Sequence, residues 1–479
     1  MPKTRVEAQE DLDSWLDREV AGCQFQDKRH GKRFGLLLGQ LSERVGSSIP
    51  FACQDWASTK AAYRFLSNKR VSEEKILAGH FTCTRERFKA TSDTTVLVLH
   101  DTTEFIYRRE ESAAIGIVSK LPTRYGSRPR YHTTCGVLMH SSLVVTEHGL
   151  PLGLTAIKFW TRDKFHGANA LKRRINPTRV PIEQKESYRW LENLRQSTAL
   201  LQHPERIVHI GDRESDIYEL FCIAQEMGTR FLLRTCVDRL AGEGGQTVSD
   251  AMEAAPIKGL HRIKVRNRKG ETSEAVLELR YRRIRLHPPI GKRKLYPDLD
   301  VTVLHATESH PPKDRDRIDW KLITNLPVHS RKDAVEKLRW YAMRWKIETF
   351  HKILKSGFKA EEVRLRAAER LVNLIAILCI LSWRIFWMTM MNRTTTTAQP
   401  DTVFTTTELY LLDQLVRDKP GKSPSESTLT LYMTKLAQLG GYLARAKDPP
   451  PGNTVIWRGL SRLTDIQLGF LLRTQLVGN

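Results

Sequence analysis

Two short apolar runs constrain this chain more than anything else in it. They are Thr95–His100 (TVLVLH) and Arg206–Gly211 (RIVHIG), and each is followed at once by an aspartate, Asp101 and Asp212. Runs this short and continuous, rich in Val, Leu and Ile, read as strands buried on both faces. Segments of helical periodicity lie at Ile182–Leu201 and Asp216–Ala224, and another short run, Arg230–Thr235, follows. Thr133–Thr146 and Leu150–Trp160 flank the turn residues Glu147-His148-Gly149, which is a hairpin pattern. The basic stretch Lys120–Arg130 before the hairpin reads as an irregular loop. Strand, hairpin, helix, strand, helix, strand is the order of an α/β fold whose sheet is partly antiparallel.

At 479 residues the chain exceeds a single core, and the rest of it divides by pattern. Residues 1–75 read as a small helical unit in which basic residues interleave with aromatics, as in Lys60-Ala-Ala-Tyr63-Arg64-Phe65. That suits phosphate contact, and equally an exposed basic face over an aromatic core. Residues 238–315 are rich in Gly, Pro and Arg, with alternating runs at Ala275–Leu286 and Asp300–Thr307. They read as a β-rich insertion, after which Asp319–Asn325 resumes the sheet. The most apolar window, Leu371–Met391, contains Arg384 and reads as a buried helix rather than a membrane span. Beyond it a Thr-rich loop leads into amphipathic segments, a helical tail. The first residues, MPKTRVEAQEDLDSW, lack the apolar core of a signal peptide.

Charge and cysteines narrow the partners. There are 77 Lys+Arg against 54 Asp+Glu, a formal net charge of +23 spread along the chain. That points to a polyanionic partner, with nucleic acid first. The 7 cysteines stand singly without a CxxC pair, which argues against structural zinc and a disulfide framework and fits a reducing compartment.

The chemistry lies in three places. Tyr341–Lys355 (YAMRWKIETFHKILK), taken as one helix, puts Tyr341, Arg344, Glu348 and Lys355 on one face and Met343, Ile347, Phe350 and Leu354 on another. The second face is a core stripe. The first reads on its own as a solvated face with an Arg344–Glu348 ion pair. Asp101 and Asp212 read on their own as an Asx-turn and a helix N-cap. Taken together they are two carboxylates at strand ends, where ligands of α/β sheets gather, and a third on a helix. Such an all-oxygen set suits two hard divalent ions, Mg²⁺ or Mn²⁺, and two such ions suit in-line attack on phosphorus. His100, His140 and His351 read as buried or DNA-facing rather than as ligands.

These residues resemble the DDE transposases of bacterial cut-and-paste insertion sequences, in the YREK (insertion-sequence-four-like) branch. The resemblance rests on Y-x2-R-x3-E-x6-K at Tyr341, Arg344, Glu348 and Lys355, and on Leu99-His100-Asp101-Thr102-Thr103 and Gly211-Asp212-Arg213-Glu214-Ser215-Asp216. Lys185-Glu186-Ser187, Arg234, Trp320, Ala62-Tyr63-Arg64-Phe65 and Leu439-Gly440-Gly441 also match, so the likeness spans nearly the whole chain. It implies a ribonuclease H-like core in residues 76–237 and 316–372, interrupted by the insertion at 238–315. It also implies an end-recognition unit in residues 1–75, including Arg64, and a helical dimerisation domain in 373–479. Asp101, Asp212 and Glu348 would hold two Mg²⁺ (or Mn²⁺) ions. The family nicks transposon ends, releases them through a hairpin and joins the 3′ ends to target DNA. Tyr341 and Arg344 would hold phosphate, and Lys355 and Arg234 would contact the backbone. Trp320 would stack on an extruded base with Trp345 supporting the pocket; core packing is the alternative reading of both tryptophans. The implied partners are double-stranded DNA and a second copy in a homodimer, with no membrane, in the bacterial cytoplasm at the nucleoid. Two other readings stay open: a plain ribonuclease H-like nuclease, and a transposon-derived DNA-binding repressor without catalysis.

Overall fold

The computed structural model describes residues 14–108, 114–125, 128–162, 180–243, 245–266, 272–313, 315–394, 398–417 and 428–477. The expected helix Val6–Glu19 lies partly outside them; its described part is α1 (Ser14–Ala21). Four more helices follow: α2 (Lys28–Glu43), α3 (Ile49–Cys53), α4 (Trp56–Leu66) and α5 (Glu73–Ala90). Side chains of Asp27, Ser48 and Asp55 cap α2, α3 and α4. Each satisfies a backbone N–H that the first helical turn leaves open.

The chain is mixed α/β. Ten strands form one sheet, β1 (Val96–Tyr107), β2 (Ile117–Tyr125), β3 (Arg128–Thr146), β4 (Pro151–Trp160), β5 (Ile207–Gly211), β6 (Arg230–Arg234), β7 (Gly259–Arg266), β8 (Thr272–Leu286), β9 (Leu299–Glu308) and β10 (Asp319–Thr324). Their order is β2-β3-β1-β5-β6-β10-β9-β8-β7, with β4 on β3. β1, β5 and β6 are parallel, and β3, β10 and the insertion strands pair antiparallel. The β3–β4 hairpin forms around Gly149, whose φ of +86° is open to glycine at no steric cost. The stretch expected as an irregular loop, Lys120–Arg130, lies partly outside the described residues; its described parts, 120–125 and 128–130, are the arms of β2 and β3, paired from Lys120↔Thr133 to Tyr125↔Arg128. Its basic, proline-containing sequence shows no alternation, yet each arm satisfies the other's backbone groups. The insertion, which also carries the short helix α8 (Val248–Glu253), extends the central sheet through the β9–β10 ladder.

Alternation decides which side of the sheet each residue faces. On one side Leu99, Ile210, Leu232 and Leu322 join a core with Ile347 and Phe350 and with the long helix α11 (Ala368–Thr394). On the other, Phe231, Leu233 and Ile323 pack with helices α6 (Tyr188–Leu201) and α7 (Tyr218–Glu226). α11 is long and apolar enough to cross a membrane, but 83% of that window is buried inside the protein. It runs unbroken through residue 372, so the core and the C-terminal helices share it. Beyond it α12 (Thr406–Leu415), α13 (Leu429–Leu439) and α14 (Asn453–Val477) pack around Leu412, Met433 and Leu436.

The stretch expected as one helix is broken. A capping box at Ser330 and Asp333 starts α9 (Arg331–Ala342). A tight turn at Met343–Arg344 follows, then α10 (Trp345–Lys352) and a π-helical turn Ile353–Gly357. The backbone stays in the right-handed region, but Arg344 N–H bonds the Tyr341 carbonyl at 3.0 Å, a three-residue bond that tightens the coil. The apolar stripe survives, with Ile347, Phe350 and Leu354 fully buried.

Candidate active site

Asp212 follows the carboxyl end of β5, but the strand end and Asx-turn expected at Asp101 are not found: β1 runs on to Tyr107, and Asp101 lies inside it, just past the point where its parallel pairing with β5 stops, because β3 continues to pair with it. The β1–β5 register runs to Leu99↔Ile210, and each aspartate comes two residues further on. Two residues is one full alternation, so both face the side of Leu99 and Ile210, beneath α10. By the same alternation Arg234 shares that face with Leu232, and Trp320 shares it with Leu322. Four candidate residues on β1, the turn after β5, β6 and β10 thus share one face of the sheet. The residues between them face the other way: His100 Nε2 meets His209 Nδ1 at 2.8 Å, and its Nδ1 meets Ser142 Oγ at 2.8 Å. His100 and His140 are core histidines.

Asp212 also caps the turn that follows it, accepting from Glu214 N–H at 2.9 Å. The turn is tight because residue 211 is glycine. A Cβ there would lie 2.5 Å from Ser215 Oγ and 2.9 Å from the Trp190 ring. Gly211→Ala is expected to destabilise the fold by about 1–3 kcal/mol, as overpacking does, read as a lowered melting temperature. An unchanged melting temperature would mean that the turn yields freely.

The helical side brings the remaining residues in. Arg344 Nη2 pairs with Glu348 Oε1 at 2.8 Å, and its guanidinium stands 4.9 Å from the centre of the Trp345 ring. Tyr341 is buried and meets Trp320 edge-on, ring centres 5.7 Å apart. Burial raises the Tyr341 hydroxyl's pKa, and the Arg344 and Arg234 charges oppose that. Arg234 itself donates to the Asp319 carbonyl at 2.9 Å. Trp345 is 58% exposed, so packing does not explain it. Lys355 stands apart from this group, 3.8 Å from Glu361 and 5.6 Å from the centre of the Phe105 ring. Arg64 is exposed on α4 in the N-terminal unit.

Asp101 reports the electrostatics. Burial pushes its carboxyl pKa up to about 7; Arg344 pulls it down, and Asp212 and Glu348 push it further up. The carboxylates are near enough to feel one another. Hard oxygen donors that face one site suit a divalent cation. Even so, among the described residues no three His, Cys, Asp or Glu side chains are gathered into a metal-binding group, and Glu348 is turned to Arg344. The donor chemistry fits an ion; closure on it requires Glu348 to leave Arg344.

A pH dependence follows for the metal-free chain. A carboxyl whose folded pKa is raised adds stability that is whole below its ordinary value, 3.8, and gone above about 7. Melting temperature without divalent ions should therefore fall across that window, by a contribution on the order of a few kcal/mol. Asp101→Asn should remove that component. A variant with the same pH profile as the parent would contradict this.

Residues outside the motifs support the site. Arg189 donates to Thr102 Oγ1 at 3.2 Å and pairs with Glu214 at 2.6 Å, tying the two aspartate-bearing segments together. Asp216 is buried and pairs with Arg239 at 2.6 Å. Its Oδ2 accepts from the Thr235 hydroxyl at 2.7 Å and from the Cys236 and Val237 N–H groups at 2.8 Å. That pins the loop after Arg234 to the turn after Asp212. Asp216 belongs to the quoted second motif, but no sequence signal marked its buried partner Arg239.

Comparison with known protein families bears on the N-terminal helices. Residues 12–71 match the family model described as transposase DNA-binding. The match supports a transposon-related, DNA-binding role for the chain, with DNA as its partner. Within the matched segment Trp56 is 73% exposed, with Lys60 Nζ 4.3 Å above its ring.

Proposed function

We propose that the chain is a Mg²⁺-dependent (or Mn²⁺-dependent) DNA transposase of the DDE type, YREK branch, built on a ribonuclease H-like core. The observation that carries this is the placement of Asp101 on β1 and Asp212 just past the adjacent parallel strand β5, on the sheet face that packs against the helix bearing Glu348, in a chain with a transposase DNA-binding unit. Two ions held there by the three carboxylates would activate a water or 3′-hydroxyl and stabilise the leaving oxygen. The chain's own residues do the rest. The guanidinium of Arg344 is buried and its Nε has no partner among the described residues, so a scissile-strand phosphate gives that donor an acceptor. Taking the phosphate, Arg344 releases Glu348. Tyr341 backs Arg344. Trp320, half-buried beside Tyr341, and exposed Trp345 offer ring faces for an extruded base. Arg234 and Lys355 serve the flanking backbone.

In this reading the enzyme nicks each transposon end, frees it through a hairpin and joins it to target DNA. It works as a homodimer, with the C-terminal helices making the contact, in the bacterial cytoplasm. Linear DNA bearing a transposon end, incubated with the protein and Mg²⁺, should give nicked, then hairpin, then joined products on a gel. Cleaved ends that never join a target plasmid would leave a plain nuclease, and end binding without cleavage would leave a repressor. Arg344→Ala should spare nicking more than hairpin formation, roughly tenfold against a hundredfold or more, because the extruded hairpin depends most on phosphate clamping. Equal loss of both steps would refute that role.

A further inference from the structure

The proposal above leaves His351 unused. It lies on α10 three residues after Glu348, so the two share a helix face. It is buried, and its Nε2 meets Ser141 Oγ at 2.9 Å. Ser141 is the direct cross-strand partner of Asp101, on the same face of the sheet. The other ring nitrogen, Nδ1, stands 3.7 Å from Asp101 Oδ2. One imidazole therefore sits between the helix that carries Glu348 and the strand pair that carries Asp101.

We infer that His351 is a positioning residue: through Ser141 and Asp101 it sets how far Glu348 stands from Asp101, and so whether the two carboxylates can share a divalent cation. The inference rests on the metal-binding reading of those carboxylates. The rest of α10 meets the sheet through Ile347 and Phe350, and apolar contacts do not define a position along the strands. A buried hydrogen bond does, because sliding the helix would leave the hydroxyl and the ring nitrogen unpaired. The ring nitrogen on Ser141 fixes the helix against β3, and the other ring edge stands against Asp101.

The test is Mn²⁺ affinity of the full chain, titrated without DNA and followed by the paramagnetic resonance of free Mn²⁺. His351→Ala should weaken binding about tenfold or more, the usual range when a residue that orients a metal ligand is lost. Ser141→Ala, a milder change, should weaken it several-fold. His351→Gln, whose amide can reach Ser141, should recover most of the affinity. Nicking of end DNA by His351→Ala should fall at limiting Mn²⁺ and return at saturating Mn²⁺, with end binding in the absence of divalent ions unchanged. Parental Mn²⁺ affinity in both His351→Ala and Ser141→Ala would overturn the inference, as would a Gln variant as weak as Ala. If His351→Ala fails to fold, Ser141→Ala decides. Asp101→Asn separates the two levels. If it binds Mn²⁺ like the parent, the metal reading itself falls, which unchanged affinity in the His351 and Ser141 variants alone would not show.

Discussion

Glu348→Ala should abolish nicking of a transposon end, a loss of at least about 10³-fold, while leaving end binding intact. Metal-ion catalysis supplies several kcal/mol of transition-state stabilisation, and each 1.36 kcal/mol is about tenfold in rate. Glu348 is the one proposed ligand on the helical side, facing aspartates that come from the sheet. Losing it would also free Arg344 from its 2.8 Å partner, which favours phosphate contact. DNA affinity should therefore hold or rise while chemistry stops. Gel-shift and nicking assays on the same preparation read both. A variant that still nicks at the parental rate would remove Glu348 from the site, and with it the three-carboxylate reading.

Asp216→Ala should be among the most destabilising single changes in the chain, costing about 3–5 kcal/mol. The side chains of Asp216 and Arg239 are 1% and 8% exposed, and Asp216 accepts two backbone N–H groups and a hydroxyl besides the guanidinium. Removing one partner of such a pair leaves the other charge buried and uncompensated. Denaturant unfolding should show a lower midpoint. Asp216→Asn should cost less, because its amide oxygen can still accept from the N–H groups. If Asp216→Ala unfolds with the parental midpoint, the loop after β6 is held by something else. Because this loop follows Arg234 directly, a folded but weakened variant should also lose DNA contact at that strand end.

What was legible follows from how far each signal reaches. The runs around Leu99 and Ile210 showed as strands because a strand buried on both faces must be continuously apolar. The β3–β4 hairpin showed through Glu147-His148-Gly149. The arms at 120–130 did not, since Lys, Pro and Arg carry no alternation and the pairing is settled by the partner strand. The break at Met343–Arg344 was hidden because neither residue is a helix breaker. Asp101, Asp212 and Glu348 are marked by motif alone, and His351 reads only as buried or DNA-facing. The contacts of His351, Ser141 and Arg239 carry no sequence signal, because each is made with a partner more than twenty residues away.

By itself, the sequence determined the residue types: three carboxylates, a guanidinium and aromatics in order along a chain of net charge +23. It also determined which short runs must be buried, because apolar side chains leave water wherever the chain takes them. Only the tertiary structure decided that Asp101, Asp212, Arg234 and Trp320 share one sheet face, since that depends on the parity of four separate strand registers. It alone decided that Glu348 is turned to Arg344, and that one buried histidine stands between helix and sheet. Alternation along a strand is local and can be read; which strand lies beside which, and what a helix sets against them, is fixed by packing.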